Sequence, residues 1–486
     1  MSSPQLAKTI GLWSATSIVI GTIIGSSIFM KPATMAAQLP SPYLLIIVWI
    51  VAGIISLFGA MAFAELGTMF PETGGQYVYL RYVYGDLTAY LYGWGGLTAI
   101  NTASIAAIGF VFASYCGYFI PLPHLPVETE QAYVLHIPLV GDIFPLQNFG
   151  VKLLAIVAIL FLTGVNYLSV RSGNAIQFIA TALKTVVILV LVFGILFSGK
   201  GDAKNFISNG PGFDLGGWKL LAAFMAATTG AFVSYDGWNV LNMVGGEIKD
   251  PKRNITRSLV MGVWVCIIIY VLISLAYMYV LPIDVMGKSS LVASDAINVV
   301  FGNVGGAVVA ALIVVSTFGA VNANLLTCAR VIFAMGETKT FFKGVAKVHQ
   351  KFKTPGNAVL LQGILSCLFV LSGSFDLLAD MYIFVSWFFY GLVVLGLFIL
   401  RRRMPGAERP YKAWGYPLIP LIFLLFTTAY IITTLYNDIN NYIQGKTAFI
   451  NSVFGILLTA IGIPFYFYFK RKYRKEVVLS PDENKV

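Results

Sequence analysis

Long apolar runs separated by short polar stretches set the character of this chain. Runs of about 20 residues, enough for a helix to cross ~30 Å of hydrocarbon, recur twelve times in its 486 residues. They lie near 11–30, 43–69, 87–119, 151–170, 174–198, 219–244, 257–281, 304–335, 357–373, 376–400, 417–437 and 449–469. The pattern predicts an all-α integral membrane protein with twelve transmembrane helices, and an even number of spans puts both termini on one side. Two of the runs are weakened from within. Gly21, Gly25, Ser26 and Ser27 interrupt the first, and Gly230, Ser234, Asp236, Gly237 and Asn239 interrupt the sixth. Glycine costs helix stability through backbone entropy, and small hydroxyl side chains compete for backbone hydrogen bonds. Non-helical backbone at membrane depth is tolerated only where protein or a water-filled cavity surrounds it. Helices one and six are therefore expected to open. Taken alone, Gly21 and Gly25 also fit a close helix-packing groove.

The connections are short, with no long linker and no second domain. Arg171-Ser172-Gly173 leaves almost nothing between spans four and five, which must pack as an antiparallel pair. Pro71-Glu72-Thr73-Gly74-Gly75 ends span two, and Gln76 to Tyr84 is expected to form an aromatic-rich helix at the interface. Residues 120–150 form a long proline-rich loop, and 199–218 and 282–303 are polar enough for short surface helices. The expected organisation is a single membrane domain. Residues 11–198 and 219–400 make two five-helix repeats of opposite orientation, 417–469 adds two helices, and 470–486 forms a tail.

Composition and charge narrow the class. The chain is 58% hydrophobic and 11% charged, against about 25% charged for soluble domains. Most of its 32 Lys and Arg fall in the termini and even-to-odd connections, which makes that side cytoplasmic by the positive-inside rule. Lys31, Lys200, Lys204, Lys219, Lys288 and Lys446 are expected on the other side. The net charge of +11 is scattered over loops rather than gathered on one face, which argues against nucleic acid. Basic residues from Lys470 to Lys475 suit an anionic leaflet. The first run lacks a small-residue cleavage site and reads as a retained span. Cys116, Cys266, Cys328 and Cys367 lie singly in apolar stretches, so neither a metal nor a disulfide framework is expected, and nothing calls for a cofactor.

Paired broken helices at corresponding positions of two repeats point to a midplane substrate site in secondary transporters. Opened amides at Gly25, Ser26 and Ser27 begin the outer half of helix one, and a helix N-terminus favours an anion such as a carboxylate. Freed carbonyls of Ile23 and Val233 suit an ammonium group. A zwitterionic amino acid fits both ends, with its side chain among Phe232, Val233 and neighbouring helices where few charges exist, so neutral substrates are predicted. Asp236 is too costly to face lipid. Lys184, mid-way along span five, is too deep to snorkel easily. It either pairs with Asp236 or serves as a fixed cation beside the opened helix, replacing a coupling ion.

The residues Gly21-Thr-Ile-Ile-Gly-Ser-Ser-Ile-Phe29, Ala64-Glu65-Leu-Gly67, Gly74-Gly75-Gln-Tyr77, Tyr235-Asp-Gly-Trp-Asn239 and Gly246-Glu247-Ile-Lys-Asp-Pro251-Lys-Arg-Asn254 follow one another in a familiar order. With the Lys184 segment, Ser316-Thr-Phe-Gly-Ala-Val-Asn322 and Trp387-Phe-Phe-Tyr-Gly391, the chain resembles the L-type amino acid transporter family of the amino acid–polyamine–organocation superfamily. The resemblance implies a LeuT-like fold of two inverted five-helix repeats, alternating access, and sodium-independent exchange of neutral amino acids. It places the carboxylate site at Gly25, Ser26 and Ser27, and the amine site at the carbonyls of Ile23, Val233 and Asp236. Lys184 matches the family's lysine in span five, while Tyr235, Asn239 and Ser386 fall around the pocket.

Four positions depart from the family pattern. Ser27 replaces a glycine, Val233 a bulky aromatic gate, Thr256 a proline, and Cys328-Ala329-Arg330 a Gly-Pro-Arg sequence. Animal members join a single-span glycoprotein through a cysteine in the outer loop, but 120–150 contains none and His124 lies near that place. No disulfide-linked heavy chain is expected, and the chain looks like stand-alone bacterial members of the plasma (inner) membrane. Its remaining partners are amino acid substrates and the bilayer. Proton-coupled symport with Lys184 titrating is the alternative, and a channel a remoter one. An enzyme is excluded because His124, His136 and His349 lie in loops and assemble no triad. Glu65 and Glu247, with Arg81, Lys249 or Arg253, are expected on a solvated cytoplasmic face.

Overall fold

The computed structural model describes residues 10–71, 74–168, 184, 187–211, 213, 216–351 and 354–477. The expected link at Arg171-Ser172-Gly173, the start of span five, Glu72, Thr73 and the end of the tail lie outside them. The described chain is a bundle of apolar helices. Eight are long and apolar enough to cross a membrane, and Leu12–Ile23, Val187–Leu196 and Gly356–Ser372 are shorter apolar helices.

Span one is split. Helix α1 (Leu12–Ile23) ends at an extended Ile24, a single 3-10 turn follows over Ser27–Phe29, and α2 (Lys31–Gln38) continues the path with Pro32 in its first turn. The expected end at residue 30 was therefore too early. The chain then runs through α3 (Pro42–Met69) and α4 (Gln76–Tyr84), the helix expected there. Next come α5 (Asp86–Gly95), a π turn over Gly96–Ile100, and α6 (Asn101–Cys116). In the long loop a short α7 (Val127–Ala132) precedes strands β1 (Leu135–Ile137) and β2 (Gly141–Ile143), an antiparallel ribbon with Leu135 opposite Ile143. Backbone bonds from Asp142 to Ala448 and from Ile450 to Val140 pin this ribbon to the segment before the last span.

The second half begins after α8 (Phe149–Leu168) and α9 (Val187–Leu196). Helix α10 (Gly217–Tyr235) stops at Asp236, and the path resumes in α11 (Val240–Met243). Beyond lie α12 (Pro251–Val280), a short α13 (Ile283–Met286) and α14 (Val292–Glu337). Gly302, at φ +67°, bends α14 where only glycine takes that conformation without strain. The bundle closes with α15 (Gly356–Ser372), α16 (Phe375–Arg403), α17 (Leu418–Ile443), α18 (Asn451–Ala460) and α19 (Gly462–Val477). Helix α3 packs along α12 and α10, and α6 along α14, α15 and α16. Of the aromatics at 465–469, Phe467 and Tyr468 are exposed, whereas Phe465 stacks on Trp94 and Phe469 is buried.

Two expectations about charge are corrected. Glu65 does not face solvent; it is fully buried, and Arg401 grips it through Nε at 2.9 Å and Nη2 at 2.6 Å. The Ala413 amide donates to the same carboxylate at 2.6 Å, Arg409 Nε stands 3.4 Å away, and the Arg401 guanidinium lies 3.6 Å over the Tyr416 ring. Arg401 and Arg409 are distant in sequence, which is why no local spacing reveals them. Arg81, one of the expected partners, instead bonds Asp86 at 2.9 Å. Lys31 is likewise no outer-loop charge but is 1% exposed inside the bundle. Removing one partner of a buried pair costs about 3–5 kcal/mol. Glu65→Ala should therefore lower the apparent melting temperature of detergent-solubilised protein by several degrees, as read by the loss of its monodisperse peak after heating.

Candidate substrate site

The two breaks meet. Gly237 has φ +111°, and a Cβ there would sit 2.7 Å from the Thr22 carbonyl oxygen and 3.3 Å from the Ile23 nitrogen. The Thr22 hydroxyl lies 3.0 Å from the Gly237 carbonyl and as close to the Ile18 and Val19 carbonyls of its own helix. Backbone thus touches backbone where α1 ends and α10 ends, as the sequence placement of the two weak points requires.

Each opened end has its own partners. The Gly25 and Ser26 amides donate to no backbone carbonyl among the described residues, while the turn beyond is closed by Phe29 donating to Ser26 and Met30 to Ser27. Ser26 and Ser27 are buried at 7% exposure each. The Ile23 carbonyl, expected to be free, accepts from Tyr270 at 2.8 Å, and the same hydroxyl lies 2.8 Å from the Ser234 carbonyl. Tyr382 reaches the Val233 carbonyl at 3.4 Å, and Tyr390 donates to Asp236 Oδ1 at 2.5 Å. Tyr235 is turned outward from the break, its hydroxyl on the Trp49 carbonyl at 3.0 Å, within an aromatic cluster of Trp49, Tyr235 and Tyr270.

Lys184 lies beside the broken end of α1. Its ammonium donates to the Gly21 carbonyl at 3.1 Å and to the Ile24 carbonyl. A cation at a helix C-terminus satisfies orphan carbonyls and complements the negative end of the dipole. The alternative partner, Asp236, takes the Tyr390 hydroxyl instead.

Helix α16 lines the second break. Tyr382, Ser386 and Tyr390 are spaced by four residues and so share one face. The expected Ser386 is 2% exposed between two tyrosines that touch the break, and its hydroxyl donates back to the Tyr382 carbonyl at 2.8 Å. Asn239 is buried beside α11. The Phe232 ring goes elsewhere: it stacks on Trp387 at 3.5 Å between centroids, with Phe426 and Tyr430 edge-on. Val233, 4% exposed, follows it directly in α10.

The sequence reading missed Tyr270, Tyr382 and Tyr390, because a tyrosine in an apolar run signals packing as readily as a hydroxyl contact. It also missed a clamp on the second half of helix one. Lys31 Nζ lies 2.6 Å from Asp376 and 2.7 Å from Asp380, Thr34 donates to Asp376 at 3.2 Å, and Phe375 offers its ring face to the ammonium at 5.2 Å. This clamp fastens α2 to the start of α16. On α1, by contrast, Ser14, Ser17 and Thr22 are exposed, a polar stripe leading up to the break. The segment before α1 pairs with the one after α11, Ile10 donating to Glu247 and Lys249 donating to Ile10.

An apolar helical bundle whose two discontinuous helices offer opposed amides and carbonyls at one point is the architecture of a secondary transporter. The comparisons agree. The Amino acid permease family model matches residues 10–466, and the chain belongs to that family, within the amino acid–polyamine–organocation superfamily; it is a multi-pass membrane transporter, not an enzyme. It is 33% identical to the b(0,+)-type amino acid transporter 1 of Mus musculus over 445 residues, 90% of this chain and 85% of the relative. It is 31% identical to the serine/threonine exchanger SteT of Bacillus subtilis (strain 168) over 474 residues, 96% of this chain and 98% of the relative. To the large neutral amino acids transporter small subunit 2 of Mus musculus it is 33% identical over 472 residues, 95% and 81% of the two chains.

Gly237→Ala adds a methyl group both at a left-handed φ and against the Thr22 carbonyl. Non-glycine backbone in such a region costs of order 1–3 kcal/mol, so the variant should lose most transport and some thermal stability. Gly164→Ala, where nothing lies within 4 Å, should change neither in the same uptake and melting assays.

Proposed function

We propose that the protein is a sodium-independent exchanger of neutral L-amino acids that works by alternating access. In this reading twelve spans form two inverted five-helix repeats, 11–198 and 219–400, followed by two further helices over 417–469. Both termini lie on the cytoplasmic side of the plasma membrane, which for a bacterial chain is the inner membrane. No disulfide-linked heavy chain is required.

The observation that carries the reading is the junction of the two broken helices with Lys184 at its edge. The Gly25 and Ser26 amides, without backbone partners, face a substrate carboxylate, with Ser27 adding a hydroxyl. The carbonyls of Ile23, Val233 and Asp236 face its ammonium, and Asn239 and Ser386 border the pocket. The substrate side chain extends past Val233, whose small size in place of an aromatic residue leaves room for it. Phe232 acts from behind by fixing α10 on α16 through its stack with Trp387. Lys184, held on the Gly21 and Ile24 carbonyls, puts a positive charge where a coupling sodium ion would otherwise neutralise the end of α1.

Alternating access requires one side to be fastened while the other is reachable. The Lys31 clamp fastens the outer half of helix one, and the polar stripe Ser14, Ser17 and Thr22 gives an inner approach. The bacterial exchanger, matched nearly end to end, supports exchange over net uptake and a chain that acts alone.

In liposomes, labelled neutral amino acid should enter only when unlabelled amino acid is present inside, and replacing sodium by choline should leave the rate unchanged. Equal uptake into empty vesicles under a pH gradient would instead establish proton symport. A cation at a helix C-terminus contributes up to ~2 kcal/mol in a partly buried setting, and each 1.4 kcal/mol is about a factor of ten. Lys184→Ala should therefore slow exchange by roughly ten- to thirtyfold at unchanged protein yield, measured as initial rate per milligram reconstituted.

A further inference from the structure

Thr256 stands where the family pattern has a proline, and nothing in the transport cycle uses it. Its side chain lines a cleft of about 480 Å³ together with Lys252, Arg253, Arg257, Glu408 and Tyr411. Three cations and one carboxylate meet there. Glu408 is engaged by Lys252 at 2.5 Å, whereas among the described residues no carboxylate pairs with Arg253 or Arg257. The Thr256 hydroxyl is buried with no hydrogen-bond partner among the described residues. A buried hydroxyl without a partner, beside two solvent-exposed guanidinium groups that no carboxylate neutralises, suits an acceptor-rich anion. Guanidinium forks match the paired oxygens of a phosphate or a carboxylate.

The helix above the cleft says which kind of phosphate. Continuing from Arg253 and Arg257 by helical spacing, the same face of α12 carries Met261, Trp264, Val265 and Ile268. All four are exposed on the outside of the bundle, from 37% at Met261 to 55% at Ile268. A soluble phosphate would use only the cationic end. A phospholipid uses both, its headgroup in the cleft and an acyl chain on the apolar stripe. The cleft also belongs to the membrane face that carries most of the chain's basic residues, where an anionic leaflet is attracted.

We propose that this cleft binds the headgroup phosphate of an anionic phospholipid, with Arg253 and Arg257 on its oxygens, Thr256 donating to it, and an acyl chain along Met261 to Ile268. The lipid would then brace a mechanically important segment. The stretch that supplies Glu408 and Tyr411 to the cleft also supplies Arg409 and the Ala413 amide to the buried Glu65.

The test needs no transport, so it stands or falls separately from the exchange reading. Full-length protein in a neutral detergent is titrated with dioleoylphosphatidylglycerol, dioleoylphosphatidylcholine or glycerol 3-phosphate, and bound lipid is read by native mass spectrometry alongside the melting temperature. Phosphatidylglycerol should be retained at one per chain and raise the melting temperature, while the other two do neither. Arg253→Gln/Arg257→Gln should weaken retention by about tenfold or more, as expected for two lost charge-assisted bonds. The isosteric Thr256→Val, which leaves the fold intact, should weaken it several-fold. Lys470→Gln/Arg471→Gln, basic residues outside the cleft, should leave it unchanged. Equal retention of phosphatidylcholine, undiminished phosphatidylglycerol binding in both cleft variants, or stabilisation by glycerol 3-phosphate alone would overturn the proposal.

Discussion

The approach of Gly237 to the Thr22 carbonyl is the constraint on which the rest of the architecture depends. Two chains in hydrocarbon cannot touch backbone to backbone unless both have stopped being helices there, and then every freed N–H and C=O must find a partner inside the protein. The surrounding residues answer that requirement. Three tyrosine hydroxyls, from α12 and α16, reach the broken ends. Lys184 covers the carbonyls that end α1. The amides at Gly25 and Ser26 reach no backbone carbonyl among the described residues, and the proposed carboxylate site rests on them.

Three cations set among the helices show three different solutions to one electrostatic problem. An ion inside a low-dielectric bundle is tolerated only when paired or fully hydrogen-bonded. Arg401 meets a single carboxylate with a bidentate fork and adds a tyrosine face, an arrangement that fixes α3 to α16. Lys31 meets two carboxylates, Asp376 being 44% exposed and Asp380 24%. That cluster keeps a route to water. Lys184 meets carbonyls, which carry partial charge. The three settings differ in the charge of the partner and in its access to solvent.

Much of this was legible in the sequence, and what was not has a common cause. Glycine and small polar residues in an apolar run announce a break, so the openings at Gly25 and Asp236 were visible, as was the depth of Lys184. The π turn at Gly96–Ile100 and the extension of span one through α2 were not, since Lys31 reads as the end of an apolar run until its two aspartates are known to lie 345 and 349 residues away. Glu65 misled in the same way, because its partners come from the far end of α16 and the loop after it. Phe232 and Val233 are adjacent letters in α10, yet the first ring turns toward α17. Periodicity assigns a residue to a face, but the neighbour opposite that face belongs to the fold.

Tyr270 carries a consequence that follows from counting protons. Its hydroxyl lies 2.8 Å from the carbonyls of both Ile23 and Ser234, but it owns one hydrogen and can donate it to only one of them at a time. One half-helix end is thus always short of a donor, and the shortage can pass between helix one and helix six by a rotation about a single C–O bond. The hydrogen-bond deficit at this meeting point is therefore shared by the two interrupted helices.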